Sequence, residues 1–184
     1  MNRWRDLYSG EVNTERVGQT VNVAGWVARR RDHGGLIFID LRDHTGIVQL
    51  VINPEHASEA AKVAHDIRSE FVVHARGEVA RRAPEAVNPN IPTGAVEIQV
   101  DELEIVSRSE PLPFQLDDEG VEEPIRLRYR YLDLRRDRMQ RNLRLSATVI
   151  AAIRRSMQAA GPAEGAARPA QRRGRSKRPL QRPF

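Results

Sequence analysis

The chain has 184 residues, 40% of them hydrophobic, 30% charged and none cysteine, which suffices for one ordinary core plus an appendage and excludes a disulfide framework or thiolate chemistry. Its net charge of +5 sits at one end: residues 161–184 hold seven of the 30 Lys/Arg and one of the 25 Asp/Glu, a net of +6, leaving −1 for residues 1–160. The basic balance therefore says nothing of the body, whose charges count by position and not by sum.

The opening segment, MNRWRDLYSGEVNTERVG, has no apolar run of signal-peptide length. No stretch approaches the ~20 apolar residues of a membrane span, so a soluble, cytoplasmic protein is expected. Gln19–Arg30 (QTVNVAGWVARR), Leu36–Arg42 (LIFIDLR) and Gly46–Asn53 (GIVQLVIN) read as strands, the last two joined as a hairpin by Asp43-His44-Thr45-Gly46. Pro54–Ile67 has Ala60, Val63, Ala64 and Ile67 at helical spacing, with the proline in its first turn. Glu70–Val79 is a fourth strand, Arg81–Gly94 a Pro/Asn/Gly loop and Ala95–Val106 a fifth strand.

Five strands with one helix between the third and fourth predict a mainly β fold, a five-stranded OB-fold Greek-key barrel over residues 1–107. Ser107–Pro124, with three prolines and a run of acids, predicts a linker over 108–124. Ile125–Arg136 (IRLRYRYLDLRR) packs five arginines around two tyrosines. Asp137–Ala160 predicts a C-terminal helix, with Leu143, Ile150 and Met157 a heptad apart and Ala147 and Ile153 beside them. That apolar stripe needs a partner the remaining chain hardly supplies. From Gly161 onward, four prolines, three glycines and only two large apolar residues predict a disordered basic tail.

Period two assigns the strand faces. Ile37, Ile39 and Leu41 make the core face of the second strand, with Phe38 and Asp40 opposite. Val48, Leu50 and Ile52 point in on the third, with Gln49 opposite. Val96, Ile98 and Val100 point in on the fifth, with Glu97 opposite. One outer surface thus offers an aromatic, an amide and a carboxylate, with Arg29–Arg31 at its rim. Single-stranded RNA recognition needs such a set: a splayed base stacks on the aromatic, polar groups read its edge and arginines hold phosphates. Alternation alone leaves open that Phe38 is a core residue or covers a second apolar cluster. Taken singly, Gln49 and Glu97 read as solvated strand-face residues. The five histidines show no zinc-type spacing, and there is no Gly-rich phosphate loop.

GWVARRRDHGGLIFIDLRDHTGIVQLV, then NPNIPTGAVEI, then IRLRYRYLDLRR closely resemble the N-terminal part of bacterial aspartyl-tRNA synthetases, from about Tyr8 to about Gly161. The resemblance implies an anticodon-binding barrel and, over 125–160, a hinge and the first helix of a truncated class II catalytic domain. It implies RNA-binding roles for seven residues. Phe38 matches the aromatic that stacks on the middle anticodon base, a uracil, and Gln49 the amide that reads it. Glu97 matches the acid that reads the first base, while Arg29 and Arg31 match residues gripping the stem-loop. Asn88 lies in the loop that closes over the anticodon. His33, in the His-Gly version of the segment after RRRD, resembles enzymes that accept tRNA for asparagine as well as tRNA for aspartate.

The family uses ATP and Mg2+ to form an aspartyl-adenylate and then charges the tRNA. It dimerises through its motif 1 region, of which only the beginning matches here. After Gly161 the resemblance stops, motifs 2 and 3 find no counterpart, and no catalytic residue and no cofactor is expected in this chain. The Arg/Pro/Ala/Gly tail reads like a GC-rich frame translated out of phase, so a truncated or frameshifted product that binds an anticodon but does not aminoacylate is expected. Two other readings stand beside it: an OB-type module binding single-stranded nucleic acid without sequence preference, aided by the tail, and a folded remnant without function.

Overall fold

The computed structural model describes residues 4–161. The chain divides into two compact units between Pro113 and Phe114, a boundary inside the segment expected as a linker. The disorder expected from Gly161 lies, but for that residue, outside the described residues.

In the first unit five strands close a barrel in the order β1-β2-β3-β5-β4. They are β1 (Thr20–His33), β2 (Leu36–Arg42), β3 (Ile47–Ile52), β4 (Val72–Arg81) and β5 (Val96–Ser107). All neighbours are antiparallel except β3 and β5, which run parallel. Helix α1 (Ser58–Asp66) lies between β3 and β4 in sequence, so the expected element order and barrel are both present. The inward faces bury Val21, Val23 and Val27 of β1, Ile37, Ile39 and Leu41 of β2, Val48, Leu50 and Ile52 of β3, and Val96, Ile98 and Val100 of β5. Ala60, Ala61 and Ala64 of α1 complete that core. Small side chains let a helix backbone approach a sheet closely.

Several boundaries differ from the sequence expectation, two of them with a visible cause. The helix starts at Ser58 and not at Pro54, because the preceding residues form a turn instead: His56 N and Ala57 N both donate to Asn53 O, and Glu55 N donates to Asn53 Oδ1. Strand β1 continues three residues past Arg30 to His33, where Gly34 and Gly35 make a two-residue hairpin loop. Both glycines have positive φ (59° and 80°), the backbone that a tight turn of this hand demands and that side chains with a Cβ resist.

A bulge decides which way the arginines point. In β1, Val27 pairs with Leu41 but Arg29 pairs with Asp40, so Ala28 is an extra residue. Before it the odd-numbered Val21, Val23 and Val27 face the core; after it the odd-numbered Arg29 and Arg31 face out. Arg30 falls to the opposite side, where its Nε donates to the Ala64 carbonyl of α1 at 2.8 Å.

The β2–β3 turn is held by Asp43. Its Oδ1 accepts from Thr45 N (2.7 Å) and Thr45 Oγ1 (2.6 Å), and its Oδ2 from Ser9 N (2.6 Å). In the β4–β5 connection Asn88 N donates to Gly94 O, and a Cβ at Gly94 would collide with the Asn88 carbonyl.

The second unit contains α2 (Glu123–Arg128), α3 (Arg130–Asp133) and α4 (Asp137–Ala159). The arginine-rich segment is therefore two short helices, organised by buried Asp133. Its carboxylate pairs with Arg130 (2.5 Å), Arg126 (3.5 Å) and Arg136 (3.8 Å). Helix α4 buries no residue, and its stripe of Leu143, Ile150, Ile153 and Met157 is exposed. No described helix is long and apolar enough to cross a membrane.

Candidate nucleic-acid interface

Strand register lines the outer barrel face with two adjacent rows. Arg31 pairs with Phe38, Phe38 with Val51 and Val51 with Gln99. One rung along, Arg29 pairs with Asp40 and Asp40 with Gln49, and Gln49 meets Glu97 of β5. Paired residues on neighbouring strands share a face, so five of the expected RNA-binding residues, Arg29, Arg31, Phe38, Gln49 and Glu97, lie together.

Phe38 is half-buried and stands outside the core cluster that takes in both its neighbours, Ile37 and Ile39. Its ring lies in the outer row between an exposed arginine and a valine. Of the readings that alternation left open, burial in the main core is excluded.

Gln49 corrects a second expectation. It lies on the outer face but only 8% exposed, because a polar network covers it. Arg31 Nη2 donates to Asp40 Oδ1 (2.9 Å) and to Gln49 Oε1 (3.4 Å), and Gln49 Nε2 donates to Glu97 Oε2 (3.1 Å). An arginine can only donate and a carboxylate can only accept, so the two partners orient the amide. Glu97 is likewise partly buried and not freely solvated. Burial pushes its carboxyl above the ordinary carboxylate range, against the opposing pull of Arg82 and the Gln49 hydrogen bond.

Arg82 is the residue that sequence reading missed. It lies just past β4, in the segment expected to be a loop, yet it is buried. Its Nε donates to the Val96 carbonyl at 2.9 Å and lies 3.8 Å from Glu97 Oε2. Asp40 was on the right face by alternation, but its part in holding Arg31 depends on strand pairing. No local signal marks either role, since both partners come from other strands.

The remaining two candidates are more peripheral. His33 is exposed at the hairpin end of β1. Asn88 is half-buried, and its Oδ1 accepts from Asn90 N at 3.0 Å, a turn within its own loop. Among the described residues no group of three or more His, Asp or Glu could hold a metal ion.

Residues 21–106 match the model of an OB-fold nucleic acid binding domain, and residues 122–164 match that of class II tRNA synthetases (D, K and N). The chain joins an OB-fold anticodon-binding domain to the start of a class II tRNA synthetase domain. Its relatives in this family include the aspartate–tRNA(Asp/Asn) ligase of Trichodesmium erythraeum, 49% identical over 158 residues, 84% of this chain and 27% of that one. The ligase of the same name from Symbiobacterium thermophilum is 53% identical over 152 residues, 82% of this chain and 26% of that one. Among solved structures, the asparaginyl-tRNA synthetase of Pyrococcus horikoshii superposes with a TM-score of 0.73 at 29% identity, covering 84% of this chain and 34% of that one. The chain thus spans about a quarter of the length of the curated relatives it matches.

Proposed function

We propose that the outer barrel face binds the anticodon loop of a tRNA for aspartate. Phe38 stacks on the middle base, Gln49 reads that base, Glu97 accepts from the first base, and Arg29 and Arg31 contact phosphates. The observation that carries this is the Arg31–Gln49–Glu97 hydrogen-bonded row beside a phenylalanine that the core does not use. A π-face beside oriented donors and acceptors suits a splayed, single-stranded base.

The tRNA for asparagine is a second substrate under this reading. Its motive is His33 in the RRRDHGG segment, together with relatives named for both tRNAs. Ligase activity belongs to relatives much longer than this chain. We assign anticodon recognition, and not adenylate formation, to the described residues, and propose that this recognition needs neither ATP nor Mg2+. A cytoplasmic location completes the proposal; the homodimer of the family is not proposed for this chain, which matches only the beginning of motif 1.

The test is a titration against tRNAs for aspartate and asparagine and an unrelated tRNA. Affinity should follow the first two anticodon bases and be shared by the aspartate and asparagine tRNAs. Binding that tracks only length and salt would favour a non-specific single-strand binder, whose affinity is set by phosphate contacts.

A further inference from the structure

The Arg82 guanidinium is an unusual thing for this face to bury. Its side chain is 4% exposed, and one of its terminal nitrogens, Nη2, is buried without a hydrogen-bond partner. Guanidinium groups are costly to bury and are seldom left with an idle donor, so the site calls for a reason. The surroundings supply one. Nε is tied to the Val96 carbonyl, the peptide next to Glu97, and the same nitrogen faces the Glu97 carboxylate. One nitrogen therefore faces both the backbone and the side chain of a single short stretch of β5.

We propose that Arg82 is a positioning residue for first-base recognition, its Nε lying between the Val96 carbonyl and the Glu97 carboxylate so that the carboxylate stays aimed at the base. This rests on the reading that Glu97 meets a base. Besides Glu97, the charged groups acting on Arg82 are Asp40 of β2, which reinforces its cation, and Arg31 of β1, which opposes it. Burial works against charge on both partners, and each one's charge works to restore the other's. Loss of the guanidinium leaves the Glu97 carboxyl facing burial with only Gln49 beside it, so it takes up a proton at a higher pH and becomes a weaker acceptor for the base.

The experiment uses the full chain and synthetic anticodon stem-loops that differ at the first base only or the middle base only. Arg82→Met should cut first-base discrimination roughly tenfold, as expected for losing a hydrogen bond to a charged group, while middle-base discrimination stays within about twofold. Its remaining first-base preference should appear only at higher pH than in the wild type. Arg82→Lys, which restores the charge but not the guanidinium, should return the pH profile to the wild-type position and recover only part of the discrimination. Glu97→Gln separates the two ideas. If it loses first-base discrimination and Arg82→Met does not, Arg82 has no positioning role although Glu97 reads the base. If Glu97→Gln keeps that discrimination, the reading of Glu97 fails and this inference falls with it. Equal weakening toward all loops with an unmoved pH profile would mark Arg82 as structural only and overturn the proposal. Where melting shows that Arg82→Met does not fold, Arg82→Lys decides: first-base discrimination equal to the wild type overturns it.

Discussion

Gln49 on β3 donates a hydrogen bond to Glu97 on β5, 3.1 Å away and 48 residues along the chain. The two strands are the one parallel pair in the barrel, and their register sets an amide directly beside a carboxylate. Because the same amide accepts from Arg31, a change at Gln49 is felt on both sides.

That bears on Gln49→Ala. The substitution removes a middle-base reader, and it also takes from the partly buried Glu97 carboxylate its hydrogen bond from Gln49, while exposed Arg31 keeps Asp40. An unsatisfied buried polar group costs about 1–3 kcal/mol, so the variant should melt at a lower temperature as well as lose middle-base preference. Affinity measured below the melting range should drop chiefly for loops with the correct middle base. Unchanged base preference would remove Gln49 from the reading role.

Phe38→Ala has the opposite balance. Stacking on an aromatic is worth ~1–3 kcal/mol per base, so tRNA affinity should fall roughly 5- to 150-fold. Since Phe38 lies outside the core cluster, the stability cost should stay well below the ~3–5 kcal/mol of a core Phe→Ala change. Thermal melting and tRNA titration on the same preparation separate the two. A loss of core size would sink the stacking assignment.

Deletion of Ala28 tests the bulge. Removing the extra residue makes Arg29 follow Val27 directly, and plain alternation then keeps Val27 inward and Arg29 and Arg31 outward. The deletion variant should therefore fold and keep its arginine face, whereas deleting Ala28 and Arg29 together turns Arg31 toward the core side and should cost more than about 3 kcal/mol or abolish folding. Circular dichroism with heating distinguishes the two. A double deletion as stable as the single one would show that strand phase does not set the arginine face.

Asp43 gives a pH dependence. Burial alone would raise its carboxyl, but hydrogen bonds from Thr45 Oγ1, Ser9 N, Thr45 N and Gly46 N outweigh burial and hold it below its ordinary value of 3.8. A carboxyl lowered on folding contributes stability in full above the unfolded value, and that contribution is lost as pH falls through the lower folded value. Asp43→Asn should therefore be less stable than the wild type at neutral pH, by about 1–2 kcal/mol, the scale of a hydrogen bond to a charged group. The gap should narrow only as pH falls below the ordinary value of 3.8, and close once the wild-type carboxyl protonates. Denaturant melts across pH 2–7 would show this; a gap that persists at the acid end would mean Asp43 acts through shape and not charge.

Much was decided by local chemistry. Alternation in LIFIDLR and GIVQLVIN put Ile37, Ile39, Leu41, Val48, Leu50 and Ile52 in the core and Phe38 and Gln49 opposite, because a strand turns its side chains over every residue. The strand–helix order made the barrel legible, and the heptad stripe of α4 is exposed among the described residues, as its pattern suggested. Tertiary structure alone decided three things. The bulge at Ala28 shifts the phase of β1, and a phase shift depends on how β1 pairs with β2, which no stretch of β1 encodes by itself. Gln49 is buried because Arg31 and Glu97 close over it from other strands. Arg82 looks like any loop arginine until β5 brings a carbonyl and a carboxylate to meet it. Periodicity is a property of one segment, whereas burial and charge pairing are properties of what the fold places beside it.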